Sequence, residues 1–267
     1  MSRSGGLPLE GRVAVVTGGS SGIGRAIATT LAAAGADIAL TYSRNAAGAE
    51  ETARAIHRIG RKTMVQKLDL SDTAHAARAL RDLADSIKST LGAIHVWVNN
   101  AGADILTGES QHLSSEEKLD LLLAVDLRGT ILASWEAARH LGANPGDASQ
   151  SGGSIINMSW DHVIAGMPGR NPELFAAVKG GVLAFSKALA RSVAPRVRVN
   201  IVAPGWIETA FAGDLADDRV EAIAAATPLR RWGLPADVAG AVNFLASSDA
   251  SFITGQTIFV SGGLIMG

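Results

Sequence analysis

Residues 12–36 read RVAVVTGGSSGIGRAIATTLAAAGA. Arg12 to Thr17 is a short β-branched run ending in glycines, the pattern of a strand buried on both faces of a parallel sheet. The glycines Gly18, Gly22 and Gly24 follow with the spacing G-x3-G-x-G, and a helix-forming stretch rich in alanine continues from them. Strand, glycine turn and helix together make a phosphate cradle. Backbone N–H groups at the helix start point at a pyrophosphate, and a Cβ there would block its approach. The contacts expected from this turn are Gly18, Ser20, Ser21, Gly22, Ile23 and Gly24. Glycine triplets also occur in turns that bind nothing. Here the flanking strand and helix carry the nucleotide reading.

Working outward, Ala36 to Tyr42 reads as the second strand. An acidic residue at its end would bind a ribose 2′-hydroxyl, but the chain continues Tyr42-Ser43-Arg44-Asn45, with a guanidinium and no carboxylate. Ser43 and Arg44 therefore suit a 2′-phosphate, and NADP(H) is favoured over NAD(H); the alternative is a solvated loop arginine. Residues 46–59 have the small and polar alternation of a surface helix. A third strand over Thr63 to Leu68 leads to Asp69-Leu70. Asp69 either accepts a hydrogen bond from an adenine amino group or caps a helix starting near Ser71. Helical periodicity follows over 72–89. Ile94 to Val98 is a fourth strand running into Asn99-Asn100-Ala101-Gly102, where Asn100, Ala101 and Gly102 offer a flat surface to a cofactor.

Beyond it, 112–139 reads as a long helix whose charged start, SSEEKLD, is capped by Ser114. Residues 144–153 form a polar loop, and 154–158 a fifth strand. Residues 172–192 read as a helix with an apolar face through Phe175, Val178, Val182 and Phe185. Residues 197–203 form a sixth strand, 235–247 a helix and 257–260 a last strand. The expected fold is a Rossmann-like, doubly wound parallel α/β sheet of about seven strands in a single domain over 1–267, with a substrate lid around 206–226. Its ligand crevice lies at the carboxyl ends of the strands.

T17-G-G-S-S-G-I-G24, Asp69 and N99-N-A-G102 resemble the cofactor motifs of the short-chain dehydrogenase/reductase family. Pro204-Gly205-Trp206-Ile207-Glu208-Thr209 and the tail DASFITGQTIFVSGG resemble its later ones, and the resemblance runs from about Leu9 to Gly263. Members similar to 3-oxoacyl-carrier-protein reductases are the nearest in kind. The resemblance adds Pro204, Gly205, Ile207 and Thr209 to the cofactor contacts, and Lys179 as the group that binds the nicotinamide ribose. It also implies a tyrosine that exchanges the substrate proton, a serine that orients the substrate, and an asparagine on the preceding helix.

The chain departs from that pattern. Tyr-x-x-x-Lys reads here as Phe175-Ala176-Ala177-Val178-Lys179, and phenylalanine has no ionisable hydroxyl. The serine position falls on Trp160 when counted forward from Asn157, with Ser159 adjacent and facing the other way unless a bulge turns it in. Counted back from Phe175 it falls on His162, so the loop contains an insertion. Asp126 stands where the family has asparagine. A positioned acid contributes roughly 10²–10⁴-fold in rate, so ordinary ketone reduction should be poor. His162, oriented by Asp161, is one replacement for the phenol; a loop histidine without a role is the other reading. Asp126 either pairs with Lys179 and keeps it charged to hold the ribose, or is a surface difference. The expectation is an NAD(P)-dependent oxidoreductase with a degenerate active site; reduction of an activated C=C bond is a variant of it. The rival is a silent NADP(H)-binding sensor or inactive partner subunit.

The rest of the composition sets bounds. With 267 residues, of which 47% are hydrophobic, a large core is available. A net charge of −1 gives no general attraction to nucleic acid or anionic lipid, and with no cysteine there is no disulfide or thiolate site. The histidines show no metal-ligand spacing. No apolar run approaches the roughly 18 residues of a membrane span. The polar start MSRSGGLPLEG lacks a signal-like apolar core, so a cytoplasmic protein is expected. The partners expected are a small-molecule substrate and further copies of the chain, since the family resemblance implies a homo-dimer or homo-tetramer. Trp97 and Trp135 read as core or interface, and Trp206 and Trp232 as either packing or the substrate mouth.

Overall fold

A computed structural model describes residues 6–142, 152–209 and 216–266. Seven parallel strands form one sheet in the order β3-β2-β1-β4-β5-β6-β7. They are β1 (Val13–Val16), β2 (Asp37–Tyr42), β3 (Thr63–Lys67), β4 (Ile94–Asn99), β5 (Gly153–Met158), β6 (Val197–Pro204) and β7 (Thr257–Val260). The period-2 alternation of strand side chains separates two cores. Ala14, Val16, Val96 and Val98 pack on one face with α1 (Gly22–Ala33) and the late helix α8 (Pro235–Ala246). Val13, Val15 and Trp97 pack on the other, with α3 (Ala76–Thr90), α5 (Thr130–Gly142) and α6 (Arg170–Val193). Both faces are therefore covered, and every residue of β1, β5 and β6 is buried. Each large apolar side chain removed from water in this way contributes ~1.5–3 kcal/mol.

The remaining helices are α2 (Ala46–Arg58), α4 (Ser115–Leu122) and α7 (Asp217–Ala226). Most sequence-expected elements occur within a few residues of their expected ends. Two details differ. The helix expected near Ser71 begins only at Ala76; Asp69 instead accepts from the N–H and hydroxyl of Ser71 at 3.0 and 2.6 Å, closing a turn. The long helix expected over 112–139 is α4 and α5 joined by a π-helical segment, Leu123–Gly129. Ser114 does cap α4, in a reciprocal box with Glu117. Of the loop at 144–153 and the lid at 206–226, positions 144–151 and 210–215 lie outside the described residues.

A buried polar network ties β4 and β5 to α5 and α6. Trp97 donates its indole N–H to Asn99 Oδ1 at 2.9 Å. Asn99 Nδ2 donates to Ser134 Oγ at 2.9 Å and to Asn157 Oδ1 at 2.8 Å. Asn157 Nδ2 donates to Ser186 Oγ at 2.8 Å, and the Ser186 hydroxyl donates in turn to the Val182 carbonyl at 2.7 Å. Every member is satisfied, so the network orients the strand ends at little cost. Among the described residues no helix is long and apolar enough to cross a membrane, and no group of side chains could hold a metal ion.

Candidate active site

The chain leaves β1, builds β2 and β3 on one side, then crosses back to lay β4 on the other. The crevice opens above this reversal. Gly18 and Gly22 have φ of +67° and +50°, backbone that side-chain-bearing residues rarely adopt. A Cβ on Gly24 would overlap the Gly18 carbonyl oxygen and sit 2.5 Å from Asn100 Nδ2. Asn100 in turn donates to the carbonyls of Thr17 and Gly18 at 3.1 and 3.2 Å, while Thr17 Oγ1 accepts the N–H groups of Asn100 and Ala101, both at 3.0 Å. The glycine turn is thus clamped to the end of β4. No side chain caps the start of α1 and no acidic residue lies in its first turn. That leaves an uncapped, positively polarised helix end facing a cradle that only glycines permit, and these residues fit a dinucleotide phosphate. Ser43 and Arg44 are exposed just beyond β2. Leu70 is buried and packs where a Cβ on Gly129 would meet it, so it supports the helix behind the site.

A cleft of about 520 Å³ adjoins this cradle. Its lining includes Ile23, Asn100, Lys179, Pro204, Gly205, Ile207 and Thr209, positions the sequence assigns to the cofactor. Trp160, Phe175 and Trp206 line it as well, with Leu106, Met167, Asn171 and Arg219. Phe175 and Lys179 are one helical turn apart on α6 and both face the cleft. The benzene ring therefore occupies the wall where the family pattern has a phenol.

Lys179 Nζ lies 2.8 Å from Asp126 Oδ1, and the Asp126 side chain is 1% exposed. The pairing expected as one of two readings of Asp126 is thus the one found. The other carboxylate oxygen accepts the Ala103 N–H at 2.8 Å, so both oxygens are held. Asp126 sits in the π-helical segment, the kind of widened turn often found at functional sites.

Trp160 and Ser159 both reach the cleft. The Ser159 hydroxyl donates to the Lys179 main-chain carbonyl at 2.9 Å, so its proton is spent on α6. Asp161 and His162 are brought together, with Oδ1 of Asp161 2.6 Å from Nδ1 of His162. Burial pushes the Asp161 carboxyl above its ordinary value, against the lowering effect of the His162 hydrogen bond. Its Oδ2 is buried without a partner, packed where a Cβ on Gly205 would come within 2.7 Å. His162 itself stacks behind Trp160, ring centroids 4.9 Å apart, and is not among the residues that line the cleft. The placement expected for a histidine standing in for the phenol is not seen: the indole of Trp160 takes the wall position instead. Among the described lining residues the ionisable side chains are Lys179 and Arg219.

Of the tryptophans, Trp97 is core, Trp135 is 54% exposed, Trp206 lines the cleft, and Trp232 is buried behind Trp206 at 5.6 Å. His95 is a half-buried residue of the interior strand β4, where its Nδ1 accepts the Val13 N–H at 3.1 Å. Sequence reasoning missed Leu106, Met167, Asn171 and Arg219. They come from separate loops and helices, and no local motif marks them.

Comparison with known proteins agrees with this geometry. The family model described as enoyl-(acyl carrier protein) reductase matches residues 18–265. This chain belongs to the short-chain dehydrogenase/reductase family. It is 38% identical to an uncharacterised oxidoreductase of Methylorubrum extorquens over 96% of this chain and 98% of that protein. It is 36% identical to the 3-oxoacyl-[acyl-carrier-protein] reductase FabG of Escherichia coli, over 97% of this chain and all of that one. A short-chain dehydrogenase from Burkholderia cenocepacia, solved in complex with NADP, superposes with a TM-score of 0.83 at 33% identity, covering 96% of this chain and 99% of that one. The protein is thus a single α/β sheet of the oxidoreductase type.

Proposed function

We propose that the protein is an NADP(H)-dependent oxidoreductase whose substrate wall has lost the phenolic acid, leaving activated C=C bonds favoured over simple ketones. The observation that carries this reading is the side-by-side placement of Phe175 and Lys179 in one cleft against an intact glycine cradle. A bound nicotinamide nucleotide would supply the hydride. The chain's own residues supply position and charge. Lys179, fixed by Asp126, keeps an ammonium at the cofactor side of the cleft, where it donates to ribose hydroxyls and opposes negative charge developing on a substrate oxygen. Phe175 and Trp160 line the same cleft with apolar rings. Without a phenol, protonation of a carbonyl oxygen in step with hydride arrival is impaired by roughly 10²–10⁴-fold. A conjugated C=C bond suffers less, because its hydride lands on carbon and the oxygen anion is delocalised and protonated later. Arg44, with no carboxylate at the end of β2, supports NADP(H).

The test is direct binding of NADPH by fluorescence, then its oxidation with a panel of ketones, quinones and enones. Tight binding with enone or quinone turnover, and slow ketones, is expected. A second reading, a silent NADP(H) binder acting as sensor or inactive partner subunit, is favoured by the Ser159 hydroxyl being committed to a main-chain carbonyl. Binding without oxidation across the panel, and no gain from F175Y, would establish it in place of the first.

We also propose assembly with further copies of the chain through α5 and α6. Trp135 is 54% exposed and stands edge-on to Phe185 at 6.3 Å, an unusual amount of aromatic surface for water. Sedimentation of W135E should show a smaller species than the parent.

A further inference from the structure

The substrate side of the cleft is an arc of rings. Trp160 and Phe175 are 6.1 Å apart at 55°, Trp160 stacks on His162, His162 meets Trp206 edge-on at 6.4 Å, and Trp206 leans on Trp232 at 5.6 Å. Each tryptophan facing the cleft is therefore backed by a second ring. Such a wall is held before a ligand arrives and loses little freedom on binding. The indole of Trp232 donates to the Val220 carbonyl at 3.0 Å, which fixes the arc to α7. Arg219, the neighbouring residue on α7, lines the same cleft and makes no ion pair with any described residue.

An aromatic arc alone suits two kinds of ligand, a flat conjugated ring or an organic cation held over the π faces. The charges decide between them. Among the described residues that line the cleft there is no carboxylate; Asp126 holds Lys179 from behind, and Arg219 adds a guanidinium with no ion-pair partner among the described residues. A cation would meet repulsion there, whereas a carboxylate or phosphate would find a fork of donors that no described carboxylate occupies. We infer that the cleft takes a flat aromatic or conjugated substrate carrying an anionic group, with the rings of Trp160, Phe175 and Trp206 selecting shape and Arg219 selecting charge. The inference rests on the oxidoreductase reading for what is done to the ligand, and on the cleft itself for what is bound.

The test uses the full chain saturated with NADP⁺ and titrated by calorimetry with 2-naphthoate, naphthalene-2-carboxamide, octanoate and a naphthyl-trimethylammonium salt. Naphthoate should bind about tenfold more tightly than the carboxamide, the range of a hydrogen bond to a charged group. It should also bind more tightly than octanoate, and the ammonium salt weakest of all. In R219Q, a change at an exposed position, the naphthoate-to-carboxamide ratio should fall several-fold. Equal binding of acid and amide, an unchanged ratio in R219Q, or preference for the ammonium salt would overturn the charge assignment; octanoate equal to naphthoate would overturn the ring assignment. Failure of the oxidoreductase reading looks different: naphthoate binds as expected while NADPH is not oxidised with any ketone, quinone or enone in a separate assay.

Discussion

Asp126 and Lys179 meet at 2.8 Å from two different helices, and the aspartate gives its second oxygen to the Ala103 N–H. One carboxylate therefore positions the cleft lysine and the loop that follows β4 together. Asparagine in its place would keep an acceptor for Ala103 but remove the charge facing Lys179. D126N should lower stability by about 1.5–3 kcal/mol, the value of a hydrogen bond to a charged group. Adding K179M should cost less than the sum of the two single changes, since the pair is then removed whole. Urea unfolding of the four proteins measures both quantities.

Phe175 stands in the cleft wall one turn before Lys179. A hydroxyl added to that ring sits beside the ammonium that would lower its pKa. F175Y should raise kcat for simple ketones by about 10²-fold or more, with little change in NADPH affinity. No gain would show that the surrounding wall, Trp160 above all, no longer admits a carbonyl.

Arg44 follows β2 and is exposed. If it holds a 2′-phosphate, R44A should weaken NADPH binding about tenfold while leaving NADH unchanged. Fluorescence titration with both nucleotides separates this from a general loss of fold.

Asp161 titrates in a setting that disfavours its charge. Burial raises its pKa from 3.8, and the His162 hydrogen bond opposes the rise. A raised carboxyl binds its proton more tightly in the folded chain, so its contribution to stability is present below pH 3.8 and is lost as pH rises through the higher folded value. The stability of D161N relative to the parent should therefore increase with pH across that window. A difference that is flat, or that moves the other way, would show that the His162 contact outweighs burial.

Gly24 has no room for a methyl group, since a Cβ there overlaps the Gly18 carbonyl oxygen. G24A should abolish NADPH binding and cost about 1–3 kcal/mol through overpacking. Retained nucleotide affinity would mean that the cradle is more pliable than its clamp by Asn100 suggests.

The sheet was readable in the chain because strands such as β1 (VAVV) and β7 (TIFV) are short apolar runs rich in β-branched residues with glycines close behind, and burial on both faces favours such runs. β7 falls on the expected residues 257–260. The cofactor turn was readable because steric need fixes residue type there. Other features left no trace. A π-helical segment inside 112–139 shifts hydrogen bonds by one residue, which no side-chain pattern records. Trp160 displaced His162 from the wall through ring packing across a loop whose length alone was visible. Arg219 and Asn171 reach the cleft from distant segments, and their convergence belongs to tertiary structure.

The π-helical segment over Leu123–Gly129 has a last consequence. A wide turn holds one residue more than an α-helix of the same rise, so deleting a single residue there would return the segment to α-helix and leave the flanking turns near their present bearing. Asp126, inside the segment, would be re-aimed away from Lys179, while the turns on either side and Trp135 on α5 kept their bearing. The aim of the carboxylate that meets Lys179 is thus set by one surplus residue in a helix, separately from the face that carries Trp135.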